Sequence, residues 1–227
     1  MIFFDLDGTL LDHDYADKKG ILALYNIHAD LAHVDENEFY NVYKEVMEHY
    51  FDKYLSGELT FEEQRRIRMI ELFSRYRIKL TREEADCKFR LYLQSFEQNW
   101  QCYDDVENCL LSLNHAEKGI ITNGNHEQQL QKLKNLGILQ HFALIITSDE
   151  IGIAKPDKRI FVEACRRANK RTDACIYVGD RLHTDALSSK EAGMRGIWLN
   201  RNHETAAEEA EVIHSLSELS ALIDLSL

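Results

Sequence analysis

Two kinds of hydrophobic pattern alternate along the chain and predict its elements. Short apolar runs of the kind found in buried strands are separated, in the second half of the chain, by stretches with apolar residues at helical spacing. The runs are Met1–Phe4, Lys118–Thr122, Leu144–Thr147, Cys175–Val178 and Gly196–Leu199. Short apolar strands that alternate with helices are typical of a parallel sheet covered on both faces. The sequence therefore predicts an α/β fold with a parallel sheet flanked by helices.

The stretch 14–98 departs from this alternation because it contains no strand-like run. Its aromatic and aliphatic residues recur at helical spacing, and Thr60–Glu63 and Thr81–Glu84 fit the S/T-x-x-E capping box that starts a helix. We predict an inserted all-helical domain of about four or five helices at residues 14–98, and an α/β core from residues 1–13 and 99–227. Because the insert follows the first strand, it could close over groups at the end of that strand and exclude water.

Two carboxylates, Asp5 and Asp7, follow the first strand immediately, together with Gly8. Two acids so close together repel each other and lose solvation, unless a cation, a proton or hydrogen bonds offset the cost. Gly8 permits a sharp backbone exit and the close approach of a ligand. One interpretation is an Asp-Gly turn without chemistry. The other is a carboxylate nucleophile, Asp5, with Asp7 as its acid/base partner.

Polar residues also follow the next predicted strands, whose carboxyl ends form the sheet edge where ligands bind. Thr122 and Asn123 end the second strand, either as an anion site at a helix start or as a capped turn. Lys155, beside the sole proline, follows the third strand in a loop, where a lone lysine is usually solvated. Asp180 and Asp185 follow the fourth, where a Gly-Asp turn with an acid at a helix start is one interpretation.

Composition and charge limit the partners. The 227-residue chain is 44% hydrophobic and 29% charged, which is ordinary for a globular protein, and its net charge of −12 disfavours a nucleic-acid polymer. A small phosphate ester needs only local positive charge and is not excluded. The sequence has no signal peptide, no apolar run long enough for a membrane span and no CxxC pair among its five cysteines. These features predict a cytoplasmic protein with free thiols and no membrane partner.

The polar segments DxDGT, TNG, KPD and GDxxxxD occur in this order along the chain. Together they resemble the motifs of the haloacid dehalogenase-like (HAD) phosphohydrolases, and the resemblance covers essentially the whole sequence. It implies a Rossmann-like parallel sheet, with the helical insert as a cap domain after the first motif. Parts of the chain resemble most the subgroup that contains pyrimidine 5′-nucleotidases and acylneuraminate 9-phosphatases.

The resemblance implies transfer of a phosphoryl group to Asp5, followed by hydrolysis of the aspartyl phosphate. Asp7 would protonate the leaving alcohol and then deprotonate the attacking water, so it must start protonated while Asp5 is ionised. The implied catalytic residues are Asp5, Asp7, Thr122 and Lys155. The implied substrate-binding residues are Gly8, Thr122, Asn123 and Lys155. The implied ligands of a Mg²⁺ ion are Asp5, Asp7, Asp180 and Asp185.

The expected activity is Mg²⁺-dependent hydrolysis of a small cytosolic phosphate monoester, of which a nucleoside 5′-monophosphate is one candidate. A phosphomutase and a non-catalytic protein that binds a phosphate ligand on this scaffold remain alternatives. Dehalogenases of the family lack the carboxylate at the place of Asp7, which disfavours that reaction here. Specificity is expected from the insert, with Tyr15, Tyr54 and Arg68 as candidates. We expect a monomer or a homodimer.

Overall fold

The computed structural model describes residues 1–205 and 210–224 of the chain. The chain divides into two compact units: a core unit, Met1–His13 with Gln101–Leu227, and a helical unit, Asp14–Trp100. The predicted boundaries are 13/14 and 98/99, so the second one falls two residues before the observed 100/101. The two segments of the core unit that continue into the helical unit lie side by side, because the amide of Asp12 donates to the carbonyl of Gln101 at 2.9 Å.

Six parallel strands form one sheet in the described part of the core unit. They are β1 (Ile2–Phe4), β2 (Lys118–Thr122), β3 (Leu144–Thr147), β4 (Ile176–Gly179), β5 (Arg195–Leu199) and β6 (Glu211–Ile213). The order across the sheet is β3-β2-β1-β4-β5-β6, so β1 lies buried between β2 and β4. The chain builds outward from β1 on one side and then on the other. Open α/β sheets bind ligands at such a reversal of strand order, beyond the carboxyl ends of the strands.

Ten α-helices lie in the described residues. They are α1 (His13–Asn26), α2 (Glu36–Leu55), α3 (Phe61–Arg75), α4 (Arg82–Gln98), α5 (Val106–Ser112), α6 (His126–Asn135), α7 (Ser148–Ile151), α8 (Arg159–Arg167), α9 (Ser188–Glu191) and α10 (Leu219–Asp224). In the core unit, α8 buries Ile160, Phe161 and Cys165 in one cluster with Phe3 of β1 and Tyr177 of β4. Burial of this apolar face removes both helix and sheet surface from water and fixes the central strands.

The predicted strands agree with β1 to β5 to within one residue at each end. The prediction missed β6, because its three residues include the exposed Glu211 and form no apolar run. The capping-box pattern of Ser215 and Glu218 predicts a helix over residues 215–227. The box of Ser215 and Glu218 is present, and a 3₁₀ turn at Leu216–Glu218 leads into α10. Residues 225–227 of that prediction lie outside the described residues.

Four α-helices, α1 to α4, build the helical unit, whose backbone is described throughout residues 14–100. The two predicted capping boxes start α3 and α4: Thr60 accepts from the amide of Glu63, and Thr81 from that of Glu84, both at 3.2 Å. The aromatic stripes point inward and form the core of this unit. Its buried aromatic residues are Phe39, Tyr43, Phe73, Phe89, Tyr92 and Phe96.

Two further findings concern membrane spans and cysteines. Among the described residues, no helix combines the length and the apolar character that a membrane span requires. The five cysteines all lie in the described part of the chain, and they are free thiols as predicted.

Candidate active site

The carboxyl end of β1 leads directly into a tight loop that carries Asp5 and Gly8. The amide of Asp5 donates to the carbonyl of Val178 in β4 at 2.9 Å, so its side chain starts from rigid sheet. Gly8 has a φ of +86°, and a Cβ atom at this position would lie 2.4 Å from Oδ2 of Asp180. Only glycine combines this backbone conformation with so close an approach. The first loop and Asp180 are therefore in direct contact, as a shared site requires.

Lys155 lies among the polar groups that were predicted to meet at this edge. Its Nζ donates to Oδ1 of Asp5, to Oδ1 of Asp185 and to the hydroxyl of Tyr177, each at 2.7 Å. The residue is only 2% exposed, so it is not the solvated lysine of the alternative interpretation. Burial by itself lowers the pKa of Lys155, but the carboxylates of Asp185 and Asp5 outweigh it and hold that pKa above its usual value. Lys155 therefore remains a buried cation beside the predicted nucleophile.

Asn123 fixes the backbone from which Lys155 extends. Its side-chain nitrogen donates to the carbonyl of Lys155 at 2.9 Å, and its side-chain oxygen accepts from the amide of Lys155 at 2.8 Å. The prediction assigned Asn123 to substrate binding. In the structure both polar atoms of its side chain contact the backbone of Lys155 and hold that residue in place. Binding of substrate by Asn123 stays a prediction.

Three carboxylates converge around Lys155, and we refer to Asp5, Asp180 and Asp185 as the acid cluster. Each offers an oxygen that lies within 4.8 Å of those of the other two. Burial and the neighbouring Asp185 and Asp5 raise the pKa of Asp180 well above its ordinary value. Burial also raises the pKa of Asp5 to about 6, although Lys155 opposes the rise. When its three acids are ionised, the cluster carries more negative charge than its one lysine balances.

The acid cluster fits a divalent metal ion. Its donors are all carboxylate oxygens, which Mg²⁺ prefers, and a few protein ligands suffice because Mg²⁺ keeps several waters. The raised pKa values of Asp5 and Asp180 indicate that additional positive charge would stabilise the ionised cluster. Among the described residues, this is the group of acids that can offer three oxygens to one ion. It contains three of the four predicted ligands.

The carboxylate of Asp7 lies outside the acid cluster and is engaged elsewhere. Lys132 Nζ donates to its Oδ1 and Oδ2 at 2.6 and 2.8 Å, and Gln129 donates to Oδ2 at 2.9 Å. Burial would raise the pKa of Asp7, but Lys132 and His13 lower it below its usual value. This arrangement does not support Asp7 as a side-chain ligand of the metal. The two pKa shifts run opposite to those expected, because the pKa of Asp7 is lowered and that of Asp5 is raised.

Thr122 ends β2 at the same edge and is 1% exposed. Its hydroxyl oxygen accepts from the side-chain nitrogen of Gln129 at 2.7 Å. The same nitrogen contacts Asp7, so one amide group links the residue predicted to bind phosphate with the residue predicted to act as acid and base. The predicted residues are thus brought together at one end of the sheet, with Asp7 linked through α6.

Three residues of the site were not predicted: Gln129, Lys132 and Tyr177. A signal for two of them was present in the sequence. Gln129, Lys132 and Leu133 share one helical face, and a glutamine and a lysine on the buried face of a helix call for partners. Tyr177 gave no such signal, because a tyrosine in an apolar strand is usually a core residue. Only the structure shows that its hydroxyl contacts Lys155.

The amino-acid sequence matches a known protein family. The family model described as a haloacid dehalogenase-like hydrolase matches residues 1–193, which include every predicted site residue. The chain belongs to this family of hydrolases. The resemblance in the four motifs is therefore confirmed, and so is the Rossmann-like α/β fold.

Three matches illustrate the family. Glyceraldehyde 3-phosphate phosphatase from Methanothermobacter thermautotrophicus is 27% identical over 232 residues, which cover 99% of this chain and 96% of that protein. Pyrimidine 5′-nucleotidase YjjG from Escherichia coli is 36% identical over 113 residues, 48% of this chain and 50% of that protein. The structure of the HAD-hydrolase YfnB from Bacillus subtilis, bound to magnesium, superposes with a TM-score of 0.85 at 23% identity, over 98% of this chain and 97% of that one.

The three specificity candidates of the insert lie in the helical unit. Tyr15 is 38% exposed, and the ring of Tyr54 packs 5.3 Å from that of Phe61. Arg68 is 7% exposed, and its Nε has no hydrogen-bond partner among the described residues. Their role in substrate choice stays a prediction.

Proposed function

We propose that this enzyme hydrolyses a small phosphate monoester with the help of Mg²⁺, through an aspartyl-phosphate intermediate on Asp5. The observation that carries the proposal is the setting of Asp5: it is buried at the end of the central strand, paired with Lys155 at 2.7 Å, inside an acid cluster that suits a divalent ion. A carboxylate in such a place can attack phosphorus while nearby positive charge offsets the repulsion from the phosphate.

In the proposed first step, an oxygen of Asp5 attacks phosphorus in line with the ester oxygen. The bond from phosphorus to the ester oxygen breaks. The ester oxygen keeps the electron pair, takes a proton from Asp7 and leaves as the alcohol. Lys155 offsets part of the negative charge that collects at the reacting centre. Thr122 donates its hydroxyl hydrogen to a phosphate oxygen, and the lack of a side chain at Gly8 lets the ligand approach the loop. A Mg²⁺ ion held by the acid cluster would add positive charge and orient the phosphate oxygens.

In the proposed second step, water attacks phosphorus and the bond to Asp5 breaks, which restores the carboxylate. Asp7 takes the proton of the water, and the contact with Lys132 favours the ionised form that this base needs. The first step needs the opposite form, with a proton to give to the alcohol. We therefore propose that Asp7 enters that step with the proton that it took from water in the preceding turnover, and that esters with poor leaving groups depend on it most.

The relatives support a small phosphorylated metabolite as the substrate class. Two of them are named for glyceraldehyde 3-phosphate and for pyrimidine nucleotides, which share a phosphate ester of a primary alcohol but differ widely in the size of the leaving group. In the proposal, the residues of the core site contact the phosphoryl group that these substrates share. A nucleoside 5′-monophosphate is one candidate within the class. We further propose a cytoplasmic location and a monomer or homodimer, neither of which the geometry of the site requires.

The proposal is tested by a phosphate-release screen over nucleotides, sugar phosphates and phospho-acids in Mg²⁺, with Asp5→Asn as the control. Release by the wild type and none by the variant supports hydrolysis through Asp5. Isomerisation of a hexose phosphate faster than phosphate release would instead indicate a phosphomutase. Stoichiometric binding without turnover across the panel would indicate a binding protein, and halide release from 2-haloacids without Mg²⁺ would indicate a dehalogenase.

A further inference from the structure

Gln129 and Lys132 lie one turn apart on α6 and contact two groups of the proposed machinery. Gln129 is 1% exposed and Lys132 3% exposed. Burial of a glutamine or a lysine is costly unless its donors find partners. Here the partners include the carboxylate of Asp7, at 2.6 and 2.8 Å from Lys132, and the hydroxyl of Thr122, at 2.7 Å from Gln129.

The orientation of the Gln129 amide follows from its partners. An ionised carboxylate only accepts hydrogen bonds, so the amide must turn its nitrogen toward Asp7, as it does at 2.9 Å. The same nitrogen then donates to the hydroxyl oxygen of Thr122, whose own hydrogen makes only a long contact of 3.4 Å with the carbonyl of Asn123 and can turn to a better acceptor. A phosphate oxygen is such an acceptor. Gln129 thereby gives Thr122 the polarity that a phosphate site needs.

The orientation of the Asp7 carboxylate is fixed by three contacts. Lys132 donates to both of its oxygens, and Gln129 donates to one of them. The Asp7 side chain is 25% exposed, so without these contacts it could rotate into solvent. A group that transfers protons must be held within hydrogen-bond reach of the reacting oxygen, and small misplacements are costly in rate.

We infer that Gln129 and Lys132 are positioning residues of this site: Lys132 orients the carboxylate of Asp7, and Gln129 ties that carboxylate to the hydroxyl of Thr122. The separation between the acid/base group and the phosphate-binding group is thereby set by one rigid helix. This inference rests on the proposed phosphatase function. It assigns two residues outside the four sequence motifs to the reaction.

The inference predicts a loss that depends on the leaving group. Lys132→Met keeps a chain of similar length but cannot hold the carboxylate of Asp7 in place, so it should lower kcat for an alkyl phosphate by about 100-fold, the usual weight of a general acid. For p-nitrophenyl phosphate, whose leaving group needs little protonation, the loss should stay below about tenfold. Lys132→Arg, which can still donate to both oxygens of Asp7, should recover most of the activity on the alkyl ester.

Gln129→Met should show the same dependence and one further effect. Because Gln129 also contacts Thr122, this variant should be inhibited less strongly by inorganic phosphate than the wild type. Lys134→Met, on the exposed side of the same helix, is the matched control and should behave as the wild type. Near-ultraviolet circular dichroism of each variant establishes that it is folded.

The outcomes separate the inference from the function on which it rests. If the wild type hydrolyses both esters and Asp5→Asn hydrolyses neither, the proposed function holds. Equal losses on both esters for folded Lys132→Met, or no loss at all, would then overturn the positioning role alone. If Lys132→Met does not fold, Gln129→Met decides: equal losses on the two esters with unchanged phosphate inhibition would overturn the inference. Turnover by folded Asp5→Asn would overturn the proposed function itself.

Discussion

The side chain of Asn123 makes hydrogen bonds with both backbone polar groups of Lys155, at 2.9 and 2.8 Å. The two residues are 32 positions apart, and the contact ties the end of β2 to the loop after β3. Lys155 in turn contacts Asp5 and Asp185. Asn123 thus fixes the backbone of Lys155, whose side chain contacts two acids of the cluster.

Asn123→Ala should therefore weaken both the fold and the reaction. It leaves two part-buried backbone groups of Lys155 without their partner, which should lower the free energy of unfolding by about 1–3 kcal/mol. The measurement is the urea midpoint together with kcat for a phosphate ester. Asn114→Ala, at an exposed position, is the control and should change neither. A wild-type midpoint and wild-type kcat in Asn123→Ala would show that the contact is dispensable.

Asp180→Asn should stabilise the metal-free protein and remove its response to Mg²⁺. Burial and the nearby Asp185 and Asp5 raise the pKa of Asp180, so its ionised form costs free energy at neutral pH. The neutral amide removes this cost, and it also removes a ligand of the proposed metal. Melting curves in EDTA and in Mg²⁺ measure both effects. The wild type should melt at a higher temperature in Mg²⁺ than in EDTA. In EDTA the variant should melt above the wild type, and its melting temperature should change little when Mg²⁺ replaces EDTA.

The exposed Asp173→Asn is the matched control for that experiment, and it should melt like the wild type under both conditions. The charge argument fails if Asp180→Asn is the less stable protein in EDTA. The metal assignment fails if Asp180→Asn gains as much from Mg²⁺ as the wild type does.

The ion pair of Asp105 and Arg201 predicts a pH-dependent stability. Burial would raise the pKa of Asp105, but hydrogen bonds from Arg201, Leu216 and Ser215 hold it below its ordinary value. A lowered folded-state pKa adds stability above the unfolded-state pKa, about 3.9, and this is lost as the pH falls through the folded-state value. Asp105→Asn should therefore cost roughly 2 kcal/mol at neutral pH, and the difference from the wild type should shrink below about pH 4.

Urea unfolding at neutral and acid pH measures this difference, and Asp104→Asn at the exposed neighbouring position is the control. A destabilisation by Asp105→Asn that is the same at both pH values would mean that the charge of Asp105 is not what stabilises the fold.

Gly8→Ala should abolish activity through a clash rather than through backbone strain alone. The added Cβ would lie 2.4 Å from Oδ2 of Asp180, at a φ of +86°. Gly137→Ala is the matched control, because its φ is +69° and no atom lies within 4 Å of its added Cβ. Each variant should lose about 1–2 kcal/mol of stability to the left-handed conformation. Only Gly8→Ala should lose phosphate release. Equal activity in the two variants would contradict the claim that the site needs the close approach of Gly8 to Asp180.

The sequence predicted the site residues that stand where an apolar strand ends, because there a polar residue is conspicuous. Asp5, Thr122 and Asp180 were found in this way, and Lys155 through its place in the following loop. The order of these elements across the sheet makes them meet, since parallel strands share one carboxyl edge. The apolar runs themselves predicted five of the six described strands. They missed β6, whose short and partly charged sequence forms no apolar run.

The remainder depended on distances that spacing alone does not give. Lys132 looks like one more polar residue of a helix, and only its contact with Asp7 shows that it lowers the pKa of that acid. This shift is opposite in direction to the one expected for Asp7. Asn123 was found as a site residue, but its partner, the backbone of Lys155, could not be read from the sequence because the two segments meet only in the folded sheet.

The most direct test of the central claim is the transfer of labelled phosphate from a substrate to the protein. Wild-type enzyme, mixed with a phosphate-labelled ester in Mg²⁺ and quenched in acid during turnover, should carry the label on Asp5. Folded Asp5→Asn should carry none, and its phosphate release should fall by at least about 1,000-fold. Steady turnover with no label on Asp5, or turnover by Asp5→Asn near the wild-type rate, would contradict the account.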